Sequence, residues 1–130
     1  MGGEPMTLVD ASSWIEFLRS RDSASGQRVK VLLARGEAAW CDMTLVELWN
    51  GAQGITEKKV LEELERELRH YPVNAQVWAG ARILARRCRE KGVTVSTPDI
   101  VIASCAATHK LPLEHCDSHF DKVLPIAAKL

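Results

Sequence analysis

Four acidic residues, Asp10, Glu47, Asp99 and Asp117, stand far apart in the chain. Asp10 and Asp117 each directly follow a short, partly apolar run that reads as a strand. Asp99 sits in the first turn of an apolar helical segment, and Glu47 lies about one turn into another. An open α/β sheet collects functional groups beyond the carboxyl ends of its strands, so such a fold would bring all four to one edge. Gathered there, the carboxylates repel one another, and a divalent cation is the simplest reason to tolerate the repulsion. Several carboxylate oxygens suit Mg2+ or Mn2+, which keep some of their water and bridge to phosphate oxygens. The chemistry such a site serves is phosphodiester hydrolysis, with a water activated and oriented for in-line attack.

Each acid alone is weak evidence. An Asp beside capping residues is more often structural, and a helix Glu is more often solvated. The surroundings sharpen the set. Glu47 is flanked by Leu45, Val46, Leu48 and Trp49, and Asp99 is followed by Ile100, Val101 and Ile102. An unpaired carboxylate in such an apolar segment is costly.

The elements that must position these acids follow from periodicity and capping. Thr7-Leu8-Val9 reads as a strand that breaks at Asp10-Ala11-Ser12-Ser13, a cluster of helix-capping types, before a helix carrying Trp14, Ile15 and Leu18. Ser23 to Gly26 forms a loop ahead of a second helix bearing Val29, Leu32 and Leu33 and ended by Gly36. Ala38 to Cys41 reads as a buried strand, with Asp42 or Thr44 to cap a helix holding Leu45, Leu48 and Trp49. A charged helix runs from about Thr56 to His70, with Glu62–Arg66 and Glu65–Arg69 spaced for i,i+4 pairing. Tyr71-Pro72-Val73 is a break or a very short strand, and Asn74 caps a long helix that carries Cys88 and is ended by Lys91-Gly92. Ser96-Thr97-Pro98-Asp99 opens a helix that is apolar almost all round to Thr108, hence central. Leu111 to Cys116 supplies a strand that stops at Asp117, and Phe120, Val123, Leu124 and Ile126 finish the chain. Strands alternating with helices imply an α/β fold: a central, mostly parallel sheet flanked by helices on both faces.

Composition bounds the function classes. At 130 residues, the chain reads as a single domain over 1–130 with a real hydrophobic core. Hydrophobic residues at 46% and charged residues at 26% fit a globular protein and leave no transmembrane segment. The N-terminus, Met1 to Met6, has neither the basic stretch nor the apolar run of a signal peptide, and Gly2 lacks the Ser or Thr of a myristoylation site. Cys41, Cys88, Cys105 and Cys116 show no Cys-x-x-Cys spacing, so a reducing cytoplasm is the expected location. Lys plus Arg equals Asp plus Glu at 17 each, which counts mildly against nucleic acid as a partner. A cluster of catalytic acids can hide a basic surface elsewhere.

Four segments carry a resemblance. Val9-Asp10-Ala11-Ser12-Ser13-Trp14, Thr44-Leu45-Val46-Glu47-Leu48, Thr97-Pro98-Asp99-Ile100-Val101-Ile102-Ala103 and His115-Cys116-Asp117-Ser118-His119-Phe120-Asp121 resemble, in order, the four acidic motifs of PIN domains. More specifically, they resemble the VapC-type toxins of toxin–antitoxin pairs, and the likeness spans almost the whole chain. It implies a PIN-like nuclease in which Asp10, Glu47, Asp99 and Asp117 hold Mg2+ or Mn2+. Ser12 matches a small hydroxyl residue supporting the first acid, and Thr97 matches a hydroxyl near the third. It further implies an RNA substrate, a cognate VapB-like antitoxin that covers the site, and a homodimer. Trp14, Ile15, Leu18 and the Leu61/Leu64/Leu68 stripe are candidates for those protein surfaces. The chain departs from the family pattern at His119, where many members carry an acid. Asp121 is the residue that could compensate.

Other readings carry less. His115, Cys116 and His119 lack the second ligand pair of a four-ligand zinc site and read as part of the rim. The chain has no nucleophile elbow, phosphate loop or dinucleotide fingerprint. Arg82, Arg86 and Arg89, with Arg87 beside them, read first as a solvated helix face and second as a stripe that tracks RNA. The four tryptophans read mostly as core. A metal-dependent endoribonuclease toxin leads, a non-catalytic PIN-like module binding RNA or protein is the alternative, and a small-molecule phosphatase is third.

Overall fold

The computed structural model describes residues 5–130, so most of the N-terminal segment weighed above as a leader or lipidation site lies outside the described residues. The elements are β1 (Thr7–Val9), α1 (Ala11–Arg19), α2 (Ala24–Ala34), β2 (Ala38–Cys41), α3 (Asp42–Gly51), α4 (Gly54–Glu67), β3 (Arg69–Tyr71), α5 (Ala75–Glu90), α6 (Thr97–His109), β4 (Leu113–Glu114) and α7 (His119–Ala127). The four strands form one parallel sheet in the order β3-β2-β1-β4.

The sheet is covered on both faces, and the alternation of its side chains shows it. Leu8, Ala39 and Cys41 point into a core made with α5, α6 and α7. Val9, Ala38 and Trp40 point the other way, against Trp14 and Phe17 of α1, Val29 of α2, Leu48 of α3 and Leu61 of α4. Strands buried on both sides read as continuous apolar runs, which is why β1 and β2 are legible in the sequence.

Several local expectations need correcting. The charged helix stops at Glu67, and Arg69 and His70 belong to β3. Pairing with β2 overrides their helical spacing: His70 sits opposite Trp40 and stacks on it at 5.8 Å between ring centroids. Neither Glu62–Arg66 nor Glu65–Arg69 is paired; Glu65 accepts from the Trp49 indole N–H, and Arg69 lies over the Tyr71 ring. Asp42 is the first residue of α3 rather than its cap, and Thr44 is buried with its hydroxyl 3.6 Å from the Cys41 thiol. The last strand is only Leu113–Glu114, which leaves Asp117 in a loop. Trp14 and Leu61 are fully packed core residues, so they cannot form a docking surface, whereas Ile15 is 36% exposed. Trp78 is exposed rather than core.

Helices α5 and α6 pack antiparallel and very close. The Ser104 hydroxyl donates to the Val77 carbonyl at 2.8 Å, and His109 Nε2 lies 3.0 Å from the Pro72 carbonyl. A Cβ on Gly80 would stand 2.8 Å from Ser104 Oγ, so glycine is what lets the helices meet there. This contact fixes α6, and with it the position of Asp99.

Candidate metal centre

Asp10 ends β1 and caps α1. Its Oδ2 accepts the Ser12 backbone N–H at 3.0 Å and the Ser12 hydroxyl at 2.6 Å. Its backbone N–H donates to the Glu114 carbonyl at 2.9 Å, tying the tip of β1 to β4. The second oxygen, Oδ1, is buried and has no hydrogen-bond partner among the described residues. Two donors thus fix one edge of the carboxylate and leave the other free for a ligand.

Ser12 also reaches the loop that carries Asp117, because its hydroxyl accepts the Cys116 N–H at 3.3 Å. Nearby, Glu114 accepts from the buried Ser13 hydroxyl at 3.1 Å and from Arg28 Nε at 2.8 Å. That network anchors β4, and sequence reading gave no hint of it.

Glu47 projects from α3 with Oε1 buried and unpartnered. Burial pushes its carboxyl up to about 7, helped by the carboxylates of Asp10 and Asp99 and then by the Cys41 thiol. Asp99 occupies the third position of α6, where Ser96 is the cap and the Ser96 hydroxyl accepts the Asp99 N–H at 3.4 Å. Burial also raises the Asp99 carboxyl, as do Asp10 and Asp117, while the Ser96 contact and His119 oppose the shift. Thr97 is exposed, and the hydroxyl that reaches Asp99 is that of Ser96. The resemblance read from sequence named Thr97 and missed Ser96; the Ser-x-x-acid spacing at a helix start marks Ser96 as a cap but does not by itself rank it above Thr97.

Carboxylate oxygens of Asp10, Glu47 and Asp99 lie within 4.8 Å of one another. Asp99 belongs to a second group at the same spacing, with Asp117 and His119. Asp117 Oδ1 accepts the His119 backbone N–H at 3.0 Å and stands 2.9 Å from His119 Nδ1. Asp121 is outside both groups; it faces His115 Nε2 at 3.8 Å from an exposed position. His115 Nδ1 in turn accepts the Asp117 N–H at 3.4 Å, so His115 shapes the loop.

The residues present fit a hard divalent cation. Buried carboxylate oxygens without donors, in a cluster whose members raise one another's proton affinity, lack a positive partner, and oxygen-rich sets of this kind suit Mg2+ or Mn2+. Cys41, Cys88, Cys105 and Cys116 are free thiols, with Cys116 alone exposed. No described helix is long and apolar enough to cross a membrane.

Known proteins resemble the chain in sequence and in fold. The family model of the PIN domain matches residues 7–124. Ribonuclease VapC11 of Mycobacterium tuberculosis is 31% identical over 125 residues, 93% of each chain. Ribonuclease VapC21 of the same organism is 30% identical over 112 residues, 83% of this chain and 80% of that one. Among solved structures, VapBC2 from Rickettsia felis bound to a fragment of promoter DNA superposes with a TM-score of 0.75 at 15% identity, over 92% of this chain and 93% of that one. VapBC-5 from M. tuberculosis gives 0.69 at 24% identity, over 92% and 91%. With its fold, its clustered acids and a family match running from β1 into α7, the chain belongs to the PIN domain family and is a relative of the VapC ribonucleases.

Proposed function

We propose that the chain is a metal-dependent endoribonuclease toxin, a single nuclease domain over residues 1–130 that hydrolyses RNA phosphodiester bonds. The observation that carries this reading is the convergence of Asp10, Glu47 and Asp99, with a buried, unpartnered oxygen on Asp10 and another on Glu47. A degenerate binding module would have little reason to keep carboxylates that repel one another. Relationship to the VapC ribonucleases supplies the substrate class. The structures of VapBC complexes suggest the partner: a cognate VapB-like antitoxin that holds the toxin inactive. A homodimer in a reducing cytoplasm completes the reading, consistent with four free cysteines.

Asp10, Glu47, Asp99 and Asp117 would hold Mg2+ or Mn2+, with Asp99 shared between the two groups. When bound, the ion supplies an activated water and neutralises charge on the phosphate in the transition state. Ser12 holds the Asp10 carboxylate by occupying Oδ2 and leaves Oδ1 without a donor. Ser96 holds the first turn of α6, and the α5–α6 contact sets its depth. Incubation of the wild-type protein with RNA and Mg2+ or Mn2+ is expected to yield discrete new ends on end-sequencing, none of which form in EDTA. Intact RNA with both ions, or the same ends in EDTA, would refute the assignment.

His119 would add an imidazole nitrogen to an otherwise oxygen-only ligand set: it groups with Asp99 and Asp117, and its Nδ1 stands 2.9 Å from Asp117 Oδ1, a contact a bound ion would have to replace. Mg2+ takes oxygen and disfavours imidazole, whereas Mn2+ accepts it more readily. In thermal-shift titrations, the ratio of Mg2+ to Mn2+ half-saturating concentrations is expected to fall about tenfold in His119→Asp. An unchanged ratio would exclude His119 from the ligand set.

A further inference from the structure

We propose that the solvent face of α5, carrying Trp78, Arg82, Arg86 and Arg89, is a track for single-stranded RNA that leads to the acid cluster. The proposal rests on the ribonuclease reading and names where the substrate's flanking nucleotides lie. Positions 78, 82, 86 and 89 advance by four, four and three residues, so the four side chains share one helix face. All four are exposed, Trp78 at 46%.

The direction of the helix brings its Arg89 end beside the first turn of α6. Val77 in the first turn of α5, and Pro72 just before that helix, contact Ser104 and His109 far along α6. At the opposite end, Arg89 and Ile100 line one cleft of about 450 Å3 together with Thr94 and Val95, and Ile100 directly follows Asp99. The stripe therefore starts beside the first turn of α6 and runs away from it. From Arg89 to Trp78 the helix rises roughly 16 Å, a span of about five stacked nucleotides at about 3.4 Å each.

Charge complementarity selects the occupant. A polyanion approaching four carboxylates is repelled, and the chain's net charge of zero offers no general attraction. The cations are instead concentrated. Residues 82–91 hold Arg82, Arg86, Arg87, Arg89 and Lys91 against Glu90, while α4 carries Glu57, Glu62, Glu63, Glu65 and Glu67 against Lys58, Lys59 and Arg66. Countering the helix dipole accounts for Arg87 and Arg89 in the last turn of α5. It does not account for Arg82, which has no ion pair among the described residues, nor for Arg86, whose contact with Glu90 is long at 3.6 Å and solvent-exposed. An exposed indole in line with guanidinium groups is the combination that binds single strands without sequence preference: the ring stacks a base and the cations follow the phosphates.

The test uses the Asp99→Asn protein in EDTA, which binds without cutting, and a fluorescein-labelled single-stranded RNA of mixed sequence followed by anisotropy across salt concentrations. Converting Arg82, Arg86 and Arg89 together to Glu is expected to weaken binding at least tenfold at low salt. It should also flatten the slope of log K against log[salt] by about 2, since each phosphate contact on a single strand contributes roughly 0.7. Trp78→Ala is expected to weaken binding roughly five- to a hundredfold with little change in slope. A matching Arg-to-Gln triple variant guards against repulsion created by the new acids, and circular dichroism checks that each variant folds. Unchanged affinity and slope in the triple variants would overturn the proposal. So would a loss of self-association in place of RNA binding, which would assign the face to a protein contact. If Arg-dependent binding persists but the wild type leaves RNA uncut with Mg2+ or Mn2+, the ribonuclease reading fails and the track stands. If the wild type cuts while stripe variants bind and cut like it, the track alone fails.

Discussion

Asp99→Asn is expected to leave the protein folded and to lower Mg2+- or Mn2+-dependent RNA cleavage by at least about a hundredfold. Asp99 is the acid common to both ligand groups, so its loss weakens each. The substitution is close to isosteric and keeps the backbone N–H that donates to Ser96, so the α6 cap survives. Stability provides a second signature. A carboxylate whose role was only structural would cost stability when neutralised, typically about 1 kcal/mol for a helix cap. Here the raised Asp99 carboxyl marks a charge that the metal-free protein holds at a cost. In EDTA the variant should therefore melt at or above the wild-type temperature, and it should lose the stabilisation that Mn2+ confers on the wild type. A lower Tm in EDTA together with retained cleavage would reassign Asp99 as a capping residue.

What the sequence made legible is whatever is encoded locally. β1 and β2 are apolar on both faces, their helices are capped or amphipathic, and Asp10 and Asp99 stand at the starts of helices. β3 was hidden because Arg69 and His70 continue the helical spacing of α4, and only pairing with Ala39 and Trp40 makes them a strand. β4 is two residues long because it is defined by pairing with Leu8 and Val9, not by its own composition. The same division applies to the candidate site. Asp10, Glu47 and Asp99 stood out through their neighbours, and Ser12 only through the family resemblance. The choice of Ser96 over Thr97, the Ser13–Glu114–Arg28 network and the closeness of His119 to Asp99 are long-range facts or rotamer facts. Exposure of Trp78 was equally illegible, since its spacing along α5 differs from that of buried Val77 by a single residue.

Glu47 gives the sharpest pH prediction, and its sign follows from where the proton sits. In the folded, metal-free protein its carboxyl titrates at about 7, against an ordinary value of 4.5. Between those values the folded state holds a proton that the unfolded chain has released, so stability falls as pH rises through this window and the full penalty is present above about 7. Burial is the first cause and the Asp10 and Asp99 carboxylates follow, which means that the penalty belongs to the assembled cluster. Glu47→Gln resembles the protonated acid at every pH. In EDTA its Tm should match the wild type near pH 5 and exceed it near pH 8 by several degrees, on the order of 5 °C. A cation reverses the preference, because it binds the ionised form. Mn2+ affinity of the wild type should rise by up to about tenfold per pH unit toward pH 7, with proton release detectable by calorimetry in buffers of differing ionisation enthalpy. Parallel Tm–pH curves for wild type and Glu47→Gln in EDTA would show that Glu47 is solvated and does not face Asp10. The cluster would then lose the member whose raised proton affinity makes a metal ion the natural neutraliser of the site.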